Sequence, residues 1–543
     1  MKRLLALAAL TSIFAACSQT GGGGNRVGTA ANGTGNLRVA IQQDVKNLNP
    51  LLASNTTDGM IDRLMFEPLV SADDKGGTIP MLATAVPTLE NKGVSKDGLT
   101  VTYHLRKDVK WTDGVGFTSK DVKWSYQAIM NNANNIISRH GYDDITSVDT
   151  PDDYTVVVHL KQRFSPFVNT FFADSDQPYV VVPAHILSKY SDINTIPFNA
   201  NPNVSDGPFK FVRWVHGDHI ELAANDNFFM GKPLLKTIYI RIVPNETTTV
   251  NMLRTHDVDW MFQSSISNYP AVKDIPGITL HWVDVNGYED VQLNTQRPLL
   301  QDVRVRQAIA YAVDKQRIVQ TLTYGQNKIA TWDQPYWMWS HDPNTQPTYT
   351  YDPQKAKQLL EQAGYTPGAG GIMTKNGQPL TLVMVSNNSN VTRRKNTVEV
   401  QAMLRNVGID AQIKYYDGDV LFAPVGEGGI LQGGKFDLAL AGWYAGIDPD
   451  DSSQFTCANV APKGYNYSRY CSAQMDAAQQ TALVNYDQPT RKKAYAQIQH
   501  LEAADMPEIF FYYLREMHPI SVNFKGFRPS PVVESWNAWE WSI

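Results

Sequence analysis

Several things are scarce in this chain, and each scarcity excludes a class of protein. It has 3 cysteines in 543 residues, at spacings that build no zinc site without further ligands nearby. It has no large excess of positive charge: 48 Lys and Arg stand against 53 Asp and Glu, a net charge of −5. A nucleic-acid partner, which would favour a basic face, is therefore not expected. No G-x-S-x-G elbow, H-E-x-x-H pair or phosphate-binding G-x-x-x-x-G-K-[ST] loop occurs, so no hydrolase or nucleotide-binding motif is marked. Asp448, Asp450 and Asp451 begin like a calcium loop. Ser453 and Asn459, however, stand where its glycine and closing acid belong, so that loop is excluded and no metal or cofactor is expected. The pair His216 and His219 beside Asp218 reads as a polar hairpin turn. No internal repeat is visible.

What is present begins at the N-terminus. Lys2 and Arg3 precede the apolar run Leu4–Ala16, too short for a bilayer, which takes about 20 residues. Ala15 and Ala16 then precede Cys17, as in a secretory signal, residues 1–16. The polar, glycine-rich stretch 17–35 cannot form a core and reads as a flexible tether, with a reach on the order of 25 Å. An exported chain meets an oxidising compartment. Cys457 and Cys471, 14 positions apart, are accordingly expected to be bonded, contributing roughly 3 kcal/mol by loop closure.

A chain this long exceeds one core, so at least two domains are expected. The turnover point is Val291–Gly325. Val291 and Leu293 share a strand face, Pro298 forces a bend, and Asp302 stands ready to cap a helix. Val305, Ile309, Ala312 and Val313 recur at helical spacing and are assigned to a buried face, Arg304 and Arg306 to the solvated one, and Gly325 to the helix end. Asn36–Ile41 reads as a strand. Leu99–Leu105 alternates as a half-buried strand, and Thr118 with Asp121 forms a capping-box pattern. Helices are expected over Thr57–Met65, Tyr351–Tyr365, Val398–Val407 and Tyr495–Ala504. Asp437–Trp443 reads as a strand buried on both faces, and Ile509–Leu514 as a returning strand.

These pieces together resemble a known family. Phe-Ala-Ala-Cys at 14–17 is similar to a bacterial lipobox. Trp111–Val122 matches W-x-D-G-x-x-F-T-x-x-D-V, with Gly116 where proline is commoner. Gly207–Phe211, Asn225–Pro233 and the N-x-x-x-P-x-x-D-x-R-V-R-Q-A-I-x-Y-A-x-D run from Asn294 complete a resemblance to family 5 extracellular solute-binding proteins. Those are the peptide- and nickel-type receptors of ABC importers. The resemblance implies an α/β, two-lobed periplasmic binding protein fold (type II, large) with an extra subdomain in the first lobe. Expected divisions are lobe I over 36–290, including a subdomain at about 74–204, lobe II over 291–508, and a return to lobe I over 509–543. Two crossings are expected near Val285–Asn294 and Glu508–Leu514. The implied protein is a monomeric lipoprotein, acylated at Cys17 and anchored at the outer face of the cell membrane. It would deliver a small peptide to a membrane permease; an oligosaccharide or other neutral solute is the alternative.

For the site, the resemblance points to the strand end Gly442, Trp443 and Tyr444, whose backbone would pair with an extended ligand. Relatives carry an acid three residues after the tryptophan to meet a peptide ammonium. Gly446 stands there in this chain, leaving Asp448 as the expected substitute. Trp332, in the aromatic run Trp332–Trp339, is a candidate for stacking on a ligand. Arg394, beside Arg393 in a loop before a helix, is a candidate for a carboxylate.

Overall fold

A computed structural model describes residues 35–53, 56–174, 179–388, 390–423 and 425–543. The signal peptide, Cys17 and the tether up to residue 34 lie outside these.

One mixed sheet runs through the molecule. Its strands lie in the order Asp410–Tyr416, Thr381–Asn387, Leu438–Tyr444, Ile278–Leu293, Glu508–Ser521, Trp260–Met261, Asn36–Ile41, Thr237–Ile242, His219–Ala224 and Phe209–Val215. The two long strands at its middle join two cores. The first core gathers Leu37, Phe66, Trp111, Phe171, Trp260 and Trp541. The second gathers Val291, Ile309, Leu382, Leu404, Leu440 and Phe511. The molecule is thus a two-lobed α/β protein whose lobes share the crossing pair Ile278–Leu293 and Glu508–Ser521. Inside the first lobe a separate sheet, Thr100–His104, Thr155–Leu160 and Ile145–Asp152, packs with helix Ser119–Met130. That helix starts as its sequence requires, with the Thr118 N–H donating to Asp121 Oδ2 at 2.9 Å.

The crossing strands run antiparallel from Ile278 opposite Ser521 to Gln292 opposite Glu508, and their register slips between Asp284 and Tyr288. The slip takes Val285, Asn286 and Gly287 out of that ladder and bends the strand. Gly287 is needed there, because a Cβ would meet the Trp443 carbonyl oxygen at 2.5 Å.

Some expectations at the turnover point are corrected. The helix is two helices, Val303–Ala312 and Lys315–Leu322. Asp302 caps the first, accepting from the Arg304 N–H, and Asp314 restarts the second, accepting from the Arg317 N–H at 2.9 Å. Arg306 is buried, not solvated. Its guanidinium donates to the carbonyls of Leu300 at 2.7 Å and Asp505 at 2.8 Å, so it caps the C-terminal end of helix Gln488–Asp505. That helix, and helix Val391–Asn406, both begin one to two turns earlier than expected. Cys457 and Cys471 are disulfide-bonded.

Candidate functional site

Leu438–Tyr444 is apolar because its first residues are buried on both faces. Along one edge it pairs with the crossing strand over its full length, from Leu438 opposite Leu293 to Tyr444 opposite Gly287. Along the other edge its pairing with Thr381–Asn387 covers only Leu438 and Ala439. Among the described residues, Leu440–Tyr444 therefore has no strand on that second edge. An edge with free backbone donors and acceptors is suited to accept an extended chain.

The end of this strand is held by ion pairs and backbone contacts. Arg393, in the first turn of helix Val391–Asn406, grips Glu289 with two hydrogen bonds, 2.6 and 2.9 Å. Burial works against the Arg393 charge, and Glu289 more than restores it. The pair lies across Gly442: a Cβ there would meet Arg393 Nη2 at 2.7 Å and Glu289 Oε2 at 2.9 Å. Asn286, at the register slip, accepts from the Ala445 N–H at 2.6 Å through its carbonyl. Its side chain donates to the Gly446 carbonyl at 2.8 Å and accepts from the Trp337 indole at 2.9 Å. The bulge in the crossing strand and the loop after Leu438–Tyr444 are thereby tied together.

That loop carries Asp448, Asp450 and Asp451. Asp448 is held by Arg491 of helix Gln488–Asp505 through two hydrogen bonds, 2.8 and 2.5 Å, with both side chains nearly buried. The Arg491 guanidinium also lies 5.3 Å over the Trp339 ring. Asp450 faces the other lobe: its Oδ2 is 3.5 Å from His140 Nε2. Burial pushes the Asp450 carboxyl up, but His140 and Ser452 outweigh it and hold it below the usual range. Around this approach a space of about 30 Å³ is walled by His140, Asn169 and Thr170 from the first lobe and by Trp443, Asp448 and Asp450 from the second.

The expected residues therefore separate. Gly442, Trp443, Tyr444 and Asp448 cluster at the strand end and its loop. Trp332 does not join them: it is 4 % exposed, packed in the second lobe's core. Arg394 is exposed to solvent, and Arg393 is the arginine that turns inward, since helical spacing puts only one of two neighbours on the strand side. Arg491, His140, Glu289 and Asn286 were not singled out. Long-range ion pairs reveal the first three and long-range hydrogen bonds reveal Asn286, and sequence spacing carries no signal for either.

Tyr444 is 49 % exposed, yet the atoms crowded around its hydroxyl push the phenol up, with Glu516 adding to that. Glu516, His518 and Glu534 place ligand atoms within 4.8 Å of one another. His518 Nδ1 accepts the Trp260 indole N–H at 3.3 Å, so a neutral ring carries its proton on Nε2 and offers no lone pair to a metal there.

The profile described as Bacterial extracellular solute-binding proteins, family 5 Middle, matches residues 77–465, and the chain belongs to that family. The oligopeptide-binding protein AppA of Bacillus subtilis is 26 % identical over 511 residues, covering 93 % of this chain and 91 % of that one. The dipeptide-binding protein of Escherichia coli is 28 % identical over 512 residues, covering 90 % and 91 %. Among solved structures, AppA from Bacillus subtilis in complex with a nonapeptide superposes with a TM-score of 0.79 at 25 % identity, covering 94 % of this chain and 99 % of that one. NikZ from Campylobacter jejuni in complex with Ni(L-His) gives a TM-score of 0.79 at 26 % identity, covering 94 % and 100 %. Among the described residues no helix is long and apolar enough to cross a membrane.

Proposed function

We propose that this protein captures a small peptide between its lobes and hands it to the permease of an ABC importer. The observation that carries this reading is the free edge of Leu440–Tyr444, set beside the hinge. A peptide laid along Gly442–Tyr444 would gain main-chain hydrogen bonds whatever its side chains. Relatives named for oligopeptides and dipeptides support the ligand class.

The counter-charge for the ammonium we assign to Asp450 in place of Asp448. Both line the interlobe gap, but Asp448 is already neutralised by Arg491, whereas Asp450 faces the first lobe's His140 and stays ionised. Acylation at Cys17 and the tether 17–35 would hold the receptor near its permease, with lobe limits at 36–290, 291–508 and 509–543. The neutral-solute reading draws on Gly446, which removes the usual acid. Native mass spectrometry of protein purified under mild conditions tests the class. Carried-over peptides support the proposal, and a uniform non-peptide adduct overturns it.

A further inference from the structure

Asp333, Asp451 and Glu502 come from three distant segments: the loop after the short strand Lys328–Ile329, the loop after Leu438–Tyr444, and helix Gln488–Asp505. Each offers an oxygen, and these atoms lie within 4.8 Å of one another. All three residues are buried, with 4 %, 3 % and 1 % of their surface exposed. Among the described residues no basic side chain pairs with any of them. Arg491 is taken by Asp448, and Lys315 donates to the Ala330 carbonyl at 3.1 Å.

Within the cluster Asp333 is in hydrogen-bond reach of both Asp451 and Glu502, and the hydrogen bonds that reach it from other side chains come from two amides. Gln479 Nε2 donates to Asp451 Oδ1 at 2.6 Å, and Gln334 Nε2 donates to Asp333 Oδ2. No donor from outside the cluster reaches Asp333 Oδ1, Asp451 Oδ2 or either oxygen of Glu502 among the described residues. Gln479, on helix Ala473–Val484, supplies an independent sign. It is 1 % exposed, its amide is turned onto Asp451, and its Oε1 is also unpartnered. An orphaned buried amide oxygen costs free energy unless something binds it.

We propose that Asp333, Asp451 and Glu502 form a site for one calcium ion, with the Gln479 amide turned over so that its carbonyl oxygen takes the place Nε2 holds beside Asp451. The donors are all hard oxygens, with no nitrogen or thiolate, which selects calcium or magnesium over zinc and copper. Calcium accepts an irregular set of six to eight oxygens, whereas magnesium demands a near-ideal octahedron that donors from separate segments do not readily supply. The carboxyls need such an ion for a second reason. All three are buried among the described residues with no basic side chain to balance them, and buried charge is costly unless it is paired or bound to a metal. The ion would also fasten the loop bearing Asp450 to helices Ala473–Val484 and Gln488–Asp505. The contiguous calcium-loop pattern at Asp448 is not used. The ligands are scattered along the chain, which is why the sequence led to an expectation of no metal.

The test uses the full mature chain. After chelator treatment, calcium chloride should raise the unfolding temperature by several degrees, and magnesium should raise it less. Native mass spectrometry at neutral pH should show one calcium per chain, and terbium excited through the aromatic side chains should be displaced by calcium. Glu502→Gln and Asp333→Asn should each weaken calcium binding tenfold or more. If Glu502→Gln does not fold, the titration on the unaltered protein still decides. No bound calcium and no thermal shift in that protein would overturn the proposal. So would a Glu502→Gln protein as stable as the parent and equally responsive to calcium.

Discussion

Asp448 and Asp451 stand three residues apart in one loop, and the fold treats them in opposite ways. Asp448 meets a guanidinium in a two-pronged pair. Asp451 meets two further acids and an amide. Asp450, between them, turns to the other lobe and to His140. One short acidic segment therefore supplies a structural clamp, a cleft carboxylate and a candidate ion ligand. What separates the three is which distant element each one reaches, since composition is the same for all.

The largest effect should come from making Asp448 resemble Asp451. Arg491→Met leaves a buried carboxylate unpaired and should cost about 3–5 kcal/mol in chemical denaturation. Adding Asp448→Asn to it should restore most of that loss, because the uncompensated charge goes with the partner. Next in size is the covalent tie just beyond the loop. Replacing Cys457 and Cys471 together by serine should lower stability by roughly 3 kcal/mol, read from the same denaturation curves.

A smaller effect separates Asp448 from Asp450 by function. Asp450→Asn should weaken peptide affinity by about 2 kcal/mol through loss of a charged partner for the ammonium. Asp448→Asn should act chiefly on stability, and calorimetry beside thermal unfolding distinguishes the two. A peptide affinity indifferent to Asp450 would return the counter-charge to another acid. The smallest effect concerns pH. His140 and Ser452 depress the Asp450 carboxyl in the folded protein. Its contribution is therefore present above the unfolded value of about 3.9 and is lost as pH falls through the lower folded value. Stability curves of the unaltered protein and Asp450→Asn should run apart at neutral pH and begin to converge only as pH falls below about 4.

Much of the fold was legible because it depends on local pattern. The strand Asn36–Ile41, the Thr118–Asp121 cap, the Asp302 cap and the apolar run that became Leu438–Tyr444 are periodicities or short-range pairings. Failures arose where a polar residue serves a distant partner. Arg306 reads as a solvated residue on an amphipathic helix, but it caps the end of another helix about 200 positions away. Trp332 reads as a cleft aromatic because aromatics crowd its neighbourhood, yet it fills the second core. Asp448 reads as the free acid because Gly446 vacates the usual place, and nothing local announces Arg491 at 43 positions' distance. The strand and the helix caps were thus legible, and the long-range ion pairs around the candidate site were not.

The central claim is that the free edge of Leu440–Tyr444 holds a peptide. Isothermal titration calorimetry of the ligand-stripped protein with defined di- to pentapeptides tests it most directly. The account predicts saturable one-to-one binding with a negative heat-capacity change, abolished by acetylating the peptide's amino terminus. Absence of heat with every peptide, alongside saturable binding of a neutral sugar or a metal chelate, would contradict it.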